Sequence, residues 1–118
     1  MHRMELGATR NPLTQLRRGV LEYCVLSLLD GEPLYGFDLV RRLAADDALV
    51  TSEGTIYPLL SRLRRDGWVS TTWAESDSGP PRRYYAVTAD GRRALNSFTQ
   101  DWCRFRDAVD SLLLEGRR

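Results

Sequence analysis

From residue 68 to residue 87 the chain changes period, and that change constrains its fold more than any other feature. Trp68-Val69-Ser70-Thr71-Thr72-Trp73-Ala74 is rich in β-branched and aromatic residues. Ser76-Asp77-Ser78-Gly79-Pro80-Pro81 is dense in turn formers, and Arg82-Arg83-Tyr84-Tyr85-Ala86-Val87 reads as the returning strand. A two-stranded hairpin is marginal on its own, so this one must lie against helices. Three helical patterns precede it. Asn11-Pro12 is a start signal, with Asn as cap and Pro at the first helical position. The helix it opens runs through Leu13, Leu16, Val20, Leu21, Cys24, Val25 and Leu28, and Asp30-Gly31 is expected to end it with a glycine that tolerates positive φ. A second helix is expected over 35–45, with Phe37, Val40, Leu43 and Ala44 on one stripe. A third is expected to begin near Ser52 or Thr55, carries Ile56, Leu59, Leu60 and Leu63 at i, i+3, i+4, i+7 and ends at Gly67. Pro58 is tolerable only within or near a first turn, which favours a start close to Thr55 or a distorted first turn.

After the hairpin, Thr88 can cap a last helix with Asp90 in its first turn. Its apolar positions, Leu95, Phe98, Trp102, Phe105, Val109 and Leu112, are spaced 3, 4, 3, 4 and 3, a heptad seam edged by charged residues. Exposed on a lone helix, such a seam would be a large apolar patch, so pairing with a second copy follows. The expected architecture is mainly α with a small β-hairpin. A mobile arm over 1–11 precedes a winged helix-turn-helix over 12–88 and a coiled-coil-like dimerisation helix over 89–118.

Composition narrows the function. The 118 residues fit one domain plus an appended helix, and they can bury roughly two-thirds of their unfolded surface without metals or disulfides. All 17 basic residues are arginines, so lysine chemistry is absent. The one histidine, His2, lies next to the terminus, which leaves no nucleophile–base pair and little for zinc; an enzyme is not expected, and neither a cofactor nor a metal is called for. Cys24 and Cys103 each sit in an apolar helical pattern and read as buried thiols. The longest apolar run, 23–29, is too short to span a bilayer and too far in to be a signal peptide, so the expectation is a cytoplasmic protein without membrane contact. The net charge of +1 rules out holding nucleic acid by bulk electrostatics; residues 1–51, 52–88 and 89–118 carry −1, +1 and +1. Any DNA contact must therefore be local.

Two local surfaces qualify. With Ile56, Leu59, Leu60 and Leu63 inward, the third helix presents Gly54, Pro58, Ser61 and Arg65 outward, flanked by Tyr57 on one side and by Thr55 and Arg62 on the other. Gly54 and Pro58 add little bulk, so the helix start can approach phosphates, and Ser61, Arg62 and Arg65 can donate to base edges or phosphates. Arg82 and Arg83, just past the hairpin turn, suit phosphates or a narrow minor groove. Each surface alone also fits an ordinary solvated face. A winged helix that docks a partner protein and never meets DNA is the alternative, and the weak net charge favours it.

Four blocks then resemble the PadR family of bacterial transcriptional regulators. These are Leu16-Arg17-Arg18-Gly19-Val20-Leu21-Glu22, Leu34-Tyr35-Gly36-Phe37-Asp38-Leu39, Ser52-Glu53-Gly54-Thr55-Ile56-Tyr57-Pro58-Leu59-Leu60-Ser61-Arg62-Leu63 and Arg82-Arg83-Tyr84-Tyr85-Ala86-Val87-Thr88-Ala89-Asp90-Gly91. They occur in the family's order and spacing, over about residues 16–115. The resemblance implies a winged helix-turn-helix with a C-terminal dimerisation helix, acting as a homodimeric repressor on an inverted-repeat operator in double-stranded DNA, released by a small molecule or by stress, and associated with the nucleoid. It places DNA contacts at Tyr35, Ser52, Gly54, Thr55, Tyr57, Pro58 and Arg62, with Arg82 and Arg83 from the wing. A single terminal helix resembles the short subfamily. Some of its multidrug-sensing members hold flat aromatic ligands between paired tryptophans at the dimer centre. Trp102 falls at that position, with Phe98 and Phe105 beside it as candidate effector contacts. Simple dimer packing accounts for Trp102 equally, and Phe98, Phe105 and Arg106 are bulkier than a roomy pore would suggest.

Overall fold

The computed structural model describes residues 11–76 and 79–115. The expected mobile arm lies outside the described residues except for Asn11, which belongs to the first helix as its cap. Asn11 Oδ1 accepts hydrogen bonds from the amides of Leu13 (3.0 Å) and Thr14 (3.3 Å), and α1 spans Pro12–Gly31. Its first turns are solvated, with Leu13 and Leu16 exposed, while Leu21, Val25, Leu26 and Leu29 are buried. Gly31 is still helical and does not take positive φ. The chain leaves α1 through Glu32 in an extended conformation, and among the described residues it is Gly67 that takes positive φ, 81°.

Extended backbone after Pro33 allows what the sequence did not announce: Leu34–Tyr35 forms a two-residue strand, β1. Tyr35 then caps α2, Gly36–Leu43. The buried stripe of α2 is Gly36, Leu39 and Leu43, so the expected stripe is corrected: Phe37 and Ala44 are exposed and Val40 half-buried. The difference is one of rotation. Gly36 faces the interior because β1 fixes the angle at which the chain enters the helix. A 3-10 turn at Asp47–Leu49 follows, closed by Asp46 Oδ1 accepting from the Ala48 amide at 2.9 Å.

The third helix, α3, spans Glu53–Arg65 and buries Ile56, Leu59, Leu60 and Leu63, as its period predicts. It starts at Ser52, its cap and the earlier of the two expected positions, so the proline lies in the second turn. Having no N–H, Pro58 leaves the carbonyl of Gly54 without its helical partner. At the other end Trp68 donates its amide to Leu63 O (2.9 Å) and Gly67 to Arg64 O (3.1 Å), the paired bonds of a Schellman stop built on a left-handed glycine.

The hairpin is β2, Val69–Ser76, and β3, Gly79–Val87, antiparallel from Val69↔Val87 to Ser76↔Gly79. The register shifts between Ala74 and Ser76, opposite the stretch in which Pro80 and Pro81 cannot donate to the ladder. β1 pairs with the far edge of β3 through Leu34↔Tyr85 and Tyr35↔Tyr84, giving a three-stranded sheet of order β1-β3-β2. One core joins the inner faces of α1, α2 and α3 to Leu34, Val69, Tyr85 and Val87.

The last helix, α4, spans Ala89–Leu113. Thr88 caps it by accepting from the Gly91 amide (3.0 Å), while its own hydroxyl donates to Gly67 O (2.7 Å). Gly91 is buried where a Cβ would overlap the Trp68 carbonyl oxygen and stand 2.8 Å from Val87 Cγ2. Only glycine lets α4 leave the sheet this closely. Arg92 Nε meets Asp30 Oδ1 at 2.8 Å, tying α4 to the end of α1. The distal half projects, and the molecule measures 55 × 32 × 23 Å. No described helix is long and apolar enough to cross a membrane. Among the described residues, no His, Cys, Asp or Glu stand together in a group of three or more that could hold a metal ion.

Candidate nucleic-acid interface

Packing the four apolar residues of α3 inward leaves Ser52, Gly54, Thr55, Tyr57, Pro58, Ser61, Arg62 and Arg65 exposed. At the start of α3, Ser52 makes no side-chain cap; its hydroxyl instead lies 3.4 Å from Thr55 Oγ1. The first amides of the helix, at the positive end of its dipole, therefore remain open to an anion. Near the other end Arg62 reaches back to α1, its Nη2 3.1 Å from Glu22 Oε1. That pair is partly solvated and must open before Arg62 can serve a phosphate.

Tyr35, Tyr57, Arg82 and Arg83 converge where α2, α3 and the hairpin meet. The ring of Tyr57 lies across Gly36, where a Cβ would come within 2.7 Å of Tyr57 Cζ. Tyr57 is still 40% exposed, yet partial burial, reinforced by Glu53, Tyr85 and Tyr35, pushes its phenol above the usual value. The Arg82 guanidinium sits 4.5 Å over the Tyr35 ring, which packs edge-on against Tyr84 at 5.5 Å. Arg83 lies 5.0 Å over the ring of Trp73, its cross-strand partner. Together Tyr35, Gly36, Tyr57, Trp73, Arg82, Arg83 and Tyr85 line a concavity of about 240 Å³. Sequence reasoning named Tyr35, Tyr57, Arg82 and Arg83 but missed Gly36 and Trp73. An exposed tryptophan in a polar strand was the available signal for Trp73. Nothing local marks Gly36, whose constraint comes from a residue 21 positions away.

The seam of α4 divides in two. Tyr23 of α1 stacks on Phe98 with ring centroids 3.9 Å apart, so Phe98 and Leu95 are half-buried within one chain rather than left for a partner. Beyond them Trp102 is 38% exposed, Phe105 60% and Leu112 78%, with Val109 half-buried. An apolar groove of about 520 Å³ runs between α1, α2 and α4, with Tyr23, Cys24, Leu49, Phe98 and Trp102 in its walls. The candidate effector contacts Trp102 and Phe98 line it; Phe105 does not, although its ring lies 6.3 Å from that of Trp102. Tyr23 and Leu49 escaped the sequence reading because a heptad on α4 carries no record of what α1 and the 3-10 turn set against it. Burial raises the pKa of the Tyr23 phenol, helped by Glu22, and that of the Cys24 thiol. Cys24 is half-buried, whereas Cys103 is exposed, contrary to the expected buried thiol; it lies one residue off the seam, on the solvent side.

Comparison with known proteins points the same way as the geometry. Residues 25–97 match the transcriptional regulator PadR-like family. A PadR-like transcription factor from Bacteroides fragilis is 41% identical in sequence, with 82% of this chain and 93% of that one covered and a TM-score of 0.70. A padr family transcriptional regulator from Eggerthella lenta is 39% identical over 86% of this chain and 88% of its own, with a TM-score of 0.76. A PadR-like transcriptional regulator from Bacillus cereus is 37% identical over 85% and 97%, with a TM-score of 0.77.

Proposed function

The chain belongs to the PadR-like family of transcriptional regulators, and from that premise we propose that it is a homodimeric repressor reading an inverted-repeat operator and released by a small aromatic effector. As a member of that family it is a DNA-binding regulator; the homodimer, the repression and the effector are the proposal. The observation that carries it is the convergence of the α3 face, the Tyr35 cap of α2 and the two wing arginines on one exposed surface. In this reading α3 enters the major groove with Gly54, Thr55, Tyr57, Pro58, Ser61 and Arg65 toward the bases and backbone. Tyr35 and Ser52 meet phosphates at the helix starts, and Arg82 and Arg83 follow the adjacent strand. Two copies joined along the exposed Trp102–Phe105–Leu112 stripe set the heads one helical turn apart, roughly 34 Å, which matches an inverted repeat.

The groove beside α4 supports the effector. Its volume and apolar walls suit a planar aromatic molecule, and it lies between the tail and the helices that carry the head. A ligand favouring one arrangement of α4 on α1 thereby favours one spacing of the two heads.

The test is binding to duplex DNA from the protein's own upstream region at two salt concentrations, with sedimentation at micromolar concentration. A dimer that binds, and whose salt slope falls by about one in Arg82→Ala, agrees with the proposal. A monomer that binds DNA at neither concentration identifies the fold as a partner-protein module instead.

A further inference from the structure

Arg83 combines three features that a solvated arginine lacks. Its guanidinium lies 5.0 Å over the Trp73 ring, it lines a concavity, and its Nε is buried without a hydrogen-bond partner among the described residues. Among the described residues seven other arginines have a carboxylate within ion-pair distance, and neither Arg83 nor Arg82 has one. Among the described residues the lining of the concavity contains no acid: its polar groups are phenols, guanidiniums and the Trp73 indole. A site with guanidinium donors and positive charge, whose neutral phenols are its only oxygen acceptors, is suited to an oxyanion that brings its own charge. Trp73 fixes Arg83. It is 65% exposed, on a strand whose outward positions are otherwise small or polar, and it contributes little to the core.

We propose that this concavity seats one phosphate oxyanion and that Trp73 is a positioning residue, holding Arg83 over the seat so that its N–H groups face the anion. The inference rests on the DNA-binding reading for the source of that anion, a backbone phosphodiester, but the seat itself does not require it. The ring covers the guanidinium from one side and offers it no acceptor, so Trp73 removes rotamer freedom from Arg83 without competing for its donors. Tyr57, held on Gly36, forms the opposite wall and joins the seat to α3.

The full chain is tested as wild type, Trp73→Ala, Trp73→Phe, Arg83→Ala and the double variant, each confirmed as folded by circular dichroism. Trp73→Ala should weaken binding to the upstream duplex about two- to fivefold at low salt and reduce the salt slope by up to about one. Trp73→Phe should recover most of the loss, and the double variant should bind no more weakly than Arg83→Ala alone. A merely structural tryptophan would leave the slope unchanged, and an unchanged slope in Trp73→Ala overturns the proposal while leaving DNA binding intact. In parallel, inorganic phosphate is titrated against chloride at constant ionic strength, following the indole N–H resonance that Trp73→Phe removes. A phosphate-specific shift from a protein that binds no DNA keeps the seat and assigns it to a free anion. No DNA binding together with no shift rejects both the seat and the reading beneath it.

Discussion

Two buried glycines sit under contacts that a methyl group would overrun, and the two contacts differ in how far they can yield. At Gly36 the obstacle is the tip of the Tyr57 ring, which can swing outward; at Gly91 it is the carbonyl of Trp68, held in the sheet. Gly36→Ala should therefore fold with only a modest loss of stability, about 1 kcal/mol, while weakening DNA binding by displacing Tyr57. Gly91→Ala should lose more, about 2–3 kcal/mol, because backbone must move; urea denaturation of both variants checks the order. The two cysteines differ in the same local way. Burial raises the thiol pKa of Cys24, so at pH 8 little of it is thiolate, and its sulfur is half-covered; Cys103 is open. Iodoacetamide should label Cys103 well before Cys24, as mass spectrometry of partly reacted protein would show. Tyr23 and Tyr57 extend the argument to stability. Folding raises both phenol pKa values, so the folded state holds those protons more tightly, and the stabilisation is complete below the unfolded value of 10.0. It is lost as pH rises past 10 and through the folded values, and Tyr57→Phe should make thermal stability less sensitive to alkali in that range.

At the scale of elements, Pro58 gives the sharpest expectation. It sits in the second turn of α3, leaves the Gly54 carbonyl without its helical bond, and is exposed. Pro58→Ala should restore that bond and raise stability by about 1–3 kcal/mol in thermal or chemical unfolding. A variant no more stable than wild type would mean that the proline's rigidity in the unfolded chain offsets the missing bond. The same helix shows what the sequence made legible. Ile56, Leu59, Leu60 and Leu63 were all expected inside and all are buried, because one unbroken helical period leaves no second way to bury them. The hairpin was equally readable from β-branched runs around a turn. By contrast β1 is two residues long, too short for any alternation, and exists through pairing with Tyr84 and Tyr85 some 50 positions later. The face of α2 was misjudged for the same reason: Phe37 looked like core until β1 fixed the helix's rotation. Of the candidate interface, the α3 surface and the wing arginines were visible as residue types. Their stacking on Tyr35 and Trp73, and the closure of Arg62 onto Glu22, depend on contacts between elements and could not be.

Across the whole molecule, the tail and the head are joined by a short, stiff junction. Thr88 caps α4 and also donates to Gly67, the residue that ends α3, while Gly91 lies against the Trp68 carbonyl and Arg92 against Asp30 of α1. Any shift of α4 on α1 is therefore felt at the end of α3 and at the base of the hairpin. Splitting the heptad between an inner half stacked on α1 and an outer half left open suits this linkage: Phe98 anchors α4 to its own head, and Trp102, Phe105 and Leu112 beyond it are exposed, as the proposed dimer requires. A charge at Phe105 tests the division. Phe105 is 60% exposed and lies beyond the intrachain stack, so Phe105→Glu should leave the monomer's unfolding nearly unchanged. In the proposed dimer the same carboxylate would meet its symmetry mate or an apolar partner across the seam, at a cost the interface cannot bear. Sedimentation should then show single copies at concentrations where wild type pairs. Operator affinity should fall toward that of one head, since the second contact is no longer intramolecular. Phe98→Glu should instead lower thermal stability as well, because it breaks the stack on Tyr23. If Phe105→Glu also unfolds the chain, or still sediments as a dimer, the seam does not divide at Trp102.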